Sequence, residues 1–376
     1  MAKLGDIATY INGYAFKPSD WSTEGLPIIR IQDLTGSSYK TNKYNGDYDK
    51  KYEVNNGDIL ISWSASLGVF VWKNDKAVLN QHIFKVIFNK KVVDKDFFVY
   101  QVENILRKAQ NSVHGATMKH LTKPVFDSLD FYLPLIEEQK RIAKQLKLIN
   151  LLIDRRNDQI KKLDLLVKSR FVEMFGDPKS NPKGWNKKTL SEIITKANNG
   201  MARRGNDESG SIVLRLVELQ GGFIDYSKPN RIILTEKEQE KYLLQENDIL
   251  FARVNGNPLN VGRCAVFHTI DEAVYHNDHI IRVHFDDSLI NGVFASNILN
   301  SEYGKDQLKN KIKTSAGQYT ISQDGIGAIE SIMPPIELQN QYADFVAQVD
   351  KSKLAIQQSL DELETLKKSL MQQYFG

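Results

Sequence analysis

The chain has 376 residues, 26% charged and 41% hydrophobic, with 50 Lys+Arg against 46 Asp+Glu. That composition excludes wholesale disorder and a fibre, and the length suggests two or three domains. A single cysteine, Cys264, excludes a disulfide framework and a multi-thiolate metal site. Apolar runs such as Leu67–Trp72 fall far short of the ~20 residues that span a bilayer. The opening stretch MAKLGDIATY has no signal-peptide core, so the expectation is a soluble, cytoplasmic protein.

In chain order, residues 1–134 read as a mixed α/β globule. Strands are expected at Pro27–Ile31, Asp58–Ser62, Gly68–Trp72 and His82–Phe88, where β-branched and aromatic residues cluster between turn residues. Asp96–Gln110 carries Phe97, Val99, Val102, Ile105 and Leu106 at helical spacing. Residues 135–176 read as one long helix, with Pro134 marking its start. Leu146, Ile153, Ile160, Val167 and Met174 recur every seven residues, and Ile142, Ile149 and Leu163 form a second row interrupted by Arg156 and Arg170. Residues 177–334 read as a second globule and 335–376 as a second long helix, opened by Pro335. Its rows are Val346, Leu360 and Tyr374, with Lys353 and Lys367 between them, and Tyr342, Val349, Ile356, Leu363 and Leu370. Apolar rows at heptad spacing over this length indicate coiled-coil packing, and both helices stop at Phe-Gly.

The chain is written twice. LPLIEEQKRIA at 133–143 matches MPPIELQNQYA at 333–343, an offset of 200 that also carries SRFVEMFG at 169–176 onto SLMQQYFG at 369–376. Upstream, LGDI at 4–7 resembles LSEI at 190–193 and IRIQDL at 29–34 resembles LRLVEL at 214–219. NGDILIS at 56–62 likewise resembles ENDILFA at 246–252, and NQHIFKVIF at 80–88 resembles NDHIIRVHF at 277–285. The offset drifts from 186 to 197 before settling at 200, so length changes fall in loops between similar strands. A period this long is not a solenoid. The fold class expected is α+β: two mixed globules and an antiparallel coiled coil of two long helices, related by a pseudo-twofold internal repeat.

Charge divides unevenly. Residues 135–176 hold 10 basic and 6 acidic side chains, while 335–376 hold 4 and 6. Opposite net charge on two similar helices favours pairing them with each other. Residues 1–134 hold 17 basic and 14 acidic side chains and residues 177–334 hold 19 and 20, so neither globule is a strongly basic body.

Familiar chemistry is missing. The chain has no phosphate loop of the Gly-x-x-x-x-Gly-Lys-[Ser/Thr] type, no Gly-x-Ser-x-Gly elbow and no His-Glu-x-x-His zinc helix. Asn257-Pro258-Leu259 lacks the second proline and the aromatic of an adenine methyltransferase motif. His276, His279 and His284 lie on a strand-like segment, where residues three apart face opposite sides, so no metal is expected there. His279 reads instead as the counterpart of His82.

With these residues in view, the chain resembles the specificity subunit of type I restriction–modification enzymes. The resemblance rests on LPLIEEQKRIAKQL at 133–146, MPPIELQNQYADFV at 333–346, the GDIL and NDIL strands at 57–60 and 247–250, and the PKGW lead-in at 182–185. It implies two target-recognition domains, each reading half of a bipartite, asymmetric DNA site. It also implies two helical regions that set the unread spacer and dock two methyltransferase subunits, with motor-nuclease subunits joining them. AdoMet, ATP and Mg²⁺ would belong to those partners, none of them being bound by this non-catalytic chain. The first half has no counterpart of Pro182–Trp185 and the chain stops at Gly376, yet a complete two-domain subunit is expected. The alternatives are the recognition part of a related nuclease–methyltransferase and a coiled-coil scaffold without DNA specificity. Polar loops that differ between the halves argue against the scaffold.

Base reading needs bidentate groups, Arg for guanine and Asn or Gln for adenine, and phosphate contacts need loop cations or small polar groups. The candidates in the first globule are Arg30, Gln32, Trp63, Ser64, Ser66, Asn80, Gln81 and Lys119. Those in the second are Arg203, Arg204, Arg215, Arg253, Asn255, Asn257, Asn277, Gln318 and Tyr319. The expected coiled-coil seam comprises Leu146, Ile149, Ile153, Ile160, Leu163 and Val167 on the first helix, and Val346, Val349, Ile356, Leu360, Leu363 and Leu370 on the second.

Overall fold

The computed structural model describes residues 1–38, 40–111, 122–315 and 317–376. They form two compact units: Met1–Asp158 with Gln357–Gly376, and Gln159–Ile356.

The first unit is built on an antiparallel sheet ordered Thr9–Asn12, Ile83–Ile87, Ile59–Ser62 and Gly68–Val71. Its central strand Ile59–Ser62 is buried at every position, which explains the continuous apolar run where alternation would mark a half-exposed strand. A second sheet orders Lys43–Tyr44, Leu26–Ile29, Ala77–Leu79 and Glu53–Val54, its middle pair parallel. Helix Lys95–Asn111 covers the core with Phe97, Phe98 and Val102, all fully buried.

The second unit repeats the main sheet strand for strand and the mixed sheet in part. Its main sheet orders Ile194–Asn199, Ile280–Phe285, Ile249–Ala252 and Cys264–Val266. Its mixed sheet orders Arg231–Ile232, Ser211–Leu214 and Val274–His276, with the last two parallel. A third sheet, Val254–Asn255 with Gln318–Thr320 and Lys313–Ser315, belongs to this unit. The halves even share a close approach. A Cβ on Gly13 would stand 2.0 Å from the Asn80 carbonyl oxygen, and one on Gly200 would stand 2.2 Å from that of His276. Only glycine fits where the chain leaves the first strand of each sheet.

Each long helix has 40 residues, Ile136–Phe175 and Ile336–Phe375. They begin one or two residues beyond the prolines expected to open them. Pro134 and Pro335 lie in the lead-in, because a glutamine side chain closes the first turn, as described below. The first helix ends at Gly176, whose φ of +78° is the left-handed stop favoured by glycine.

The helices pair antiparallel. In the first unit, Ile142 and Leu146 near the start of one share a core with Met371 and Phe375 at the end of the other. In the second unit, Val167, Phe171 and Met174 pack with Tyr342, Val346 and Val349. Among the seam candidates, Leu146, Ile149, Val167, Val346, Val349 and Leu360 are buried, and Ile153, Ile160, Leu163, Ile356, Leu363 and Leu370 are half-buried. Phe171 lies outside both heptad rows and is buried because its ring stacks on Phe294 of the globule, centroids 5.6 Å apart. The opposite net charges are not expressed as a simple ladder. Lys353 of the acidic helix meets Asp164 of the basic helix at 2.7 Å, against the net polarity. Among the described residues, no helix is long and apolar enough to cross a membrane.

Candidate nucleic-acid interface

Register places the candidate residues at one end of each main sheet. In the second unit Ala252 lies opposite Ile280, Phe251 opposite Cys264 and Asn199 opposite Ile281. The segments that follow strands 194–199, 211–214, 249–252 and 274–276 therefore emerge together. They carry Arg203 and Arg204, Arg215, Arg253 with Asn255 and Asn257, and Asn277. Tyr319 is brought alongside by pairing with Asn255, and Gln318 is its exposed neighbour. In the first unit Arg30 and Gln32 follow strand 26–29. Trp63, Ser64 and Ser66 form the turn after 59–62, and Asn80 and Gln81 follow 77–79. Lys119 lies outside the described residues.

Hydrogen bonds knit the second cluster. The Arg253 Nε donates to the Asp278 carbonyl at 2.6 Å, and its backbone N–H donates to the His279 carbonyl. Arg204 pairs with the Asp278 carboxylate at 2.7 Å and lies 3.3 Å from the His279 Nε2. The Asn255 and Asn257 oxygens accept from the backbone N–H groups of Asn257 and Leu259, so each carboxamide is fixed by its own turn. Asn257 is exposed and Asn255 half-buried.

Three further candidate arginines are held by carboxylates. Arg30 is gripped by Asp33, and Arg215 by Glu218, at equivalent positions of the two halves. Each acid also accepts from the arginine's own backbone N–H, closing a short helical turn. Arg203 pairs with Glu238 at 2.8 Å, and its hydrogen bonds hold the Glu238 carboxyl down to about 2. Several of the remaining candidates are more enclosed than their loop positions suggest. Ser64 and Asn277 are buried, and Asn277 accepts from the His279 backbone N–H. The Asn80 oxygen accepts from the Gln81 N–H. Trp63 is half-buried, stacked on Phe84 with its Nε1 donating to Asn12 at 3.2 Å. Ser66 and Gln32 are exposed.

The opposite end of each sheet meets the long helices. Gln139 accepts from the Asp94 N–H and donates to the Pro134 carbonyl, at 2.9 and 2.8 Å. Gln339 repeats this with the Asn291 N–H and the Pro334 carbonyl, again at 2.9 and 2.8 Å. Both side chains are buried, so a glutamine at this site fastens the helix start to the globule. Between the two ends runs an ion pair common to both halves: Asp58–Lys85 at 3.0 Å and Asp248–Arg282 at 2.6 Å.

Sequence reasoning missed these glutamines and acids as structural parts, although both recur at matching places in the two halves. It also missed apolar groups near the recognition ends. Tyr14 is 45% exposed and bridges to Asn80, and Phe223 is 61% exposed in the loop after Arg215. The signal for Tyr14 was an aromatic residue just beyond strand Thr9–Asn12.

Comparison with known proteins agrees with this plan. The family model described as type I restriction modification DNA specificity domain matches residues 1–163 and 182–365. The StySPI specificity subunit of Salmonella potsdam is 23% identical, covering 100% of this chain and 88% of its own. The MjaVIII specificity subunit of Methanocaldococcus jannaschii is 24% identical, covering 99% and 90%. Among solved structures, the S subunit of a type I system from M. genitalium aligns over 100% of this chain and 95% of its own, with a TM-score of 0.58 at 14% identity. The fold is thus shared at low identity. With two matched regions that each take in one globule and most of one long helix, the chain belongs to the type I restriction–modification specificity-subunit family.

Proposed function

We propose that this chain reads a split DNA site, one half with each globule, and holds the catalytic partners of a type I complex on its paired helices. The observation that carries this reading is the gathering of hydrogen-bonding side chains at one end of each sheet, while the helices are fastened at the other. Residues 1–134 and 177–334 are the recognition domains, and 135–176 and 335–376 the helical regions. In the second domain Arg253, Asn255, Asn257 and Tyr319 form the core of the reading surface. Arg30, Arg203 and Arg215 are held in place by Asp33, Glu238 and Glu218. DNA must exchange a carboxylate for a phosphate or guanine edge there, which penalises sites that offer too few contacts.

Two methyltransferase subunits and motor-nuclease subunits are the partners, in the cytoplasm, and AdoMet, ATP and Mg²⁺ serve those subunits. With a net charge of only +4, the isolated chain binds DNA weakly and loses affinity steeply with salt.

The test is genome-wide mapping of methyladenine with and without the gene, and with Arg253, Asn255 and Asn257 changed to alanine. Loss of one split motif on deletion, and relaxation of one half-site in the variant, are expected. An active system whose methylation is unchanged by deletion would refute the reading.

A further inference from the structure

The loop that carries Arg253, Asn255 and Asn257 also holds an apolar side chain in water. It spans residues 253–263, between strands Ile249–Ala252 and Cys264–Val266, where the first unit makes the same connection with residues 63–67. The added length is not slack. Val254 and Asn255 pair with Thr320 and Tyr319, and the base is closed by the Gly262 N–H donating to the Ala252 carbonyl at 2.8 Å. At the tip, Pro258–Asn260 forms one 3₁₀ turn. The Asn257 Oδ1 accepts from the Leu259 N–H at 3.0 Å, and the Asn260 and Val261 N–H groups donate to the Asn257 and Pro258 carbonyls at 3.1 and 3.2 Å. Val261 is buried in the core of the unit, which anchors the far side of the turn.

Leu259 is 75% exposed on this turn. Proline at 258 and the Asn257 cap fix the backbone around it, so hiding the side chain would mean breaking the turn. The neighbouring loop is tied to the same place: the Arg263 Nη2 donates to the Leu216 carbonyl at 2.9 Å, and the Gly222 N–H to the Cys264 carbonyl at 3.0 Å. That loop carries the exposed Val217 and Phe223, so apolar groups recur at the end of the unit where the reading side chains gather.

We propose that Leu259 reads the C5-methyl group of a thymine in the half-site of the second globule. Asparagine is the side chain suited to an adenine edge in the major groove, and the thymine opposite that adenine presents its methyl group in the same groove. An asparagine and an exposed leucine two residues apart on one fixed turn therefore supply both parts of an A·T contact, hydrogen bonds for the adenine and an apolar patch for the methyl. A cytosine in the thymine's place sets no methyl against Leu259 and brings an amino group instead. The inference rests on the DNA-reading role proposed above and adds the base that this loop selects.

Methylation mapping of the complete system with Leu259→Ala tests this, with Ile270→Ala, at an exposed position beyond the other end of strand Cys264–Val266, as control. One A·T position of a single half-site is expected to accept other bases in Leu259→Ala, in the same half that is relaxed by changing Arg253, Asn255 and Asn257 to alanine. The gap and the other half stay as they are, and the control leaves the motif intact. In the assembled complex, replacing the thymine at that position by deoxyuridine, which lacks only the methyl group, should weaken binding by the parent about fourfold, the worth of one buried methyl. Binding by Leu259→Ala should not change with that replacement. A half-site without an A·T pair, an unrelaxed motif in Leu259→Ala, or a parent indifferent to deoxyuridine would each overturn the proposal. So would a deoxyuridine penalty that persists in Leu259→Ala, since another group would then read the methyl. If the Arg253, Asn255 and Asn257 variant also left the motif unchanged, the reading role itself would fail; if Leu259→Ala alone did, the failure would be confined to this inference.

Discussion

The two units share a topology and differ in what they bury. Beneath the first sheet, Asp58 and Lys85 pair with side chains 27% and 12% exposed; beneath the second, Asp248 and Arg282 pair at 0% and 1%. Asp248 also accepts from its neighbours. The Gln245 N–H lies 2.6 Å from one oxygen and the His284 Nδ1 lies 2.9 Å from the other. Beside it the second unit places His276 where the first has Leu79, with neither ring nitrogen hydrogen-bonded. One fold thus accepts this ion pair either within reach of water or fully buried. The lesson is that the ion pair serves the fold only while both partners are present, since a buried charge that loses its partner is costly.

Breaking the pair should separate the units most clearly. Asp248→Ala strands Arg282 and is expected to cost about 3–5 kcal/mol, whereas Asp58→Ala leaves Lys85 able to reach water and costs about 1 kcal/mol. Native-state hydrogen exchange, read separately on strands 280–285 and 83–87, measures each loss without assuming that the chain unfolds in one step. Equal losses would erase the contrast.

The glutamine clamps come next. Gln139→Ala and Gln339→Ala should each cost about 1–3 kcal/mol by leaving a buried backbone group unpaired. The second should cost more, because Gln339 also donates to the Leu289 carbonyl. Exchange of the Asp94 and Asn291 amides is the direct readout, and protection that survives both changes would show that the helix starts are held otherwise.

The smallest effect at neutral pH is expected from His276→Leu, which copies the first unit into the second and should stabilise it by about 1 kcal/mol, since an unpaired buried polar group is removed. Acid amplifies it. Burial, and then the nearby Arg282 charge, push the His276 imidazole down from 6.5 to about 3, so it is neutral when folded. Between those values the unfolded chain binds the extra proton, and stability falls as pH falls, by about 1.4 kcal/mol per pH unit for one proton. The leucine variant should lose that slope in urea titrations taken from pH 6.5 to 3.5. An unchanged slope would assign it to another group.

Much of this plan was legible in residue order. Heptad rows and the Phe-Gly stops locate both long helices, because a coiled-coil seam and a glycine stop are local signals. Strands 59–62 and 83–87 and helix 95–111 fall where apolar clustering puts them. The candidate readers were found by residue type, and their position at strand ends follows from turn chemistry. Their partners were legible only in part. Asp33 and Glu218 stand three residues after Arg30 and Arg215, a spacing visible in both halves but passed over when residues were chosen by type, whereas Glu238 and Asp278, which hold Arg203 and Arg253, lie 35 and 25 residues away. Likewise Gln139 and Gln339 stood in the repeat as matching letters. Their role needs the Asp94 and Asn291 amides, which lie 45 and 48 residues away.

The make-up of the two units also sets an order in time. The second unit is one uninterrupted stretch, Gln159–Ile356, whereas the first needs Met1–Asp158 and Gln357–Gly376 together. On a ribosome adding about 5–20 residues per second, the first globule waits on the order of 10–40 s for Met371 and Phe375 to arrive. Until then the faces of Ile142, Leu146 and Phe97 that they cover stay open to water or to a chaperone. The part made first is the part finished last.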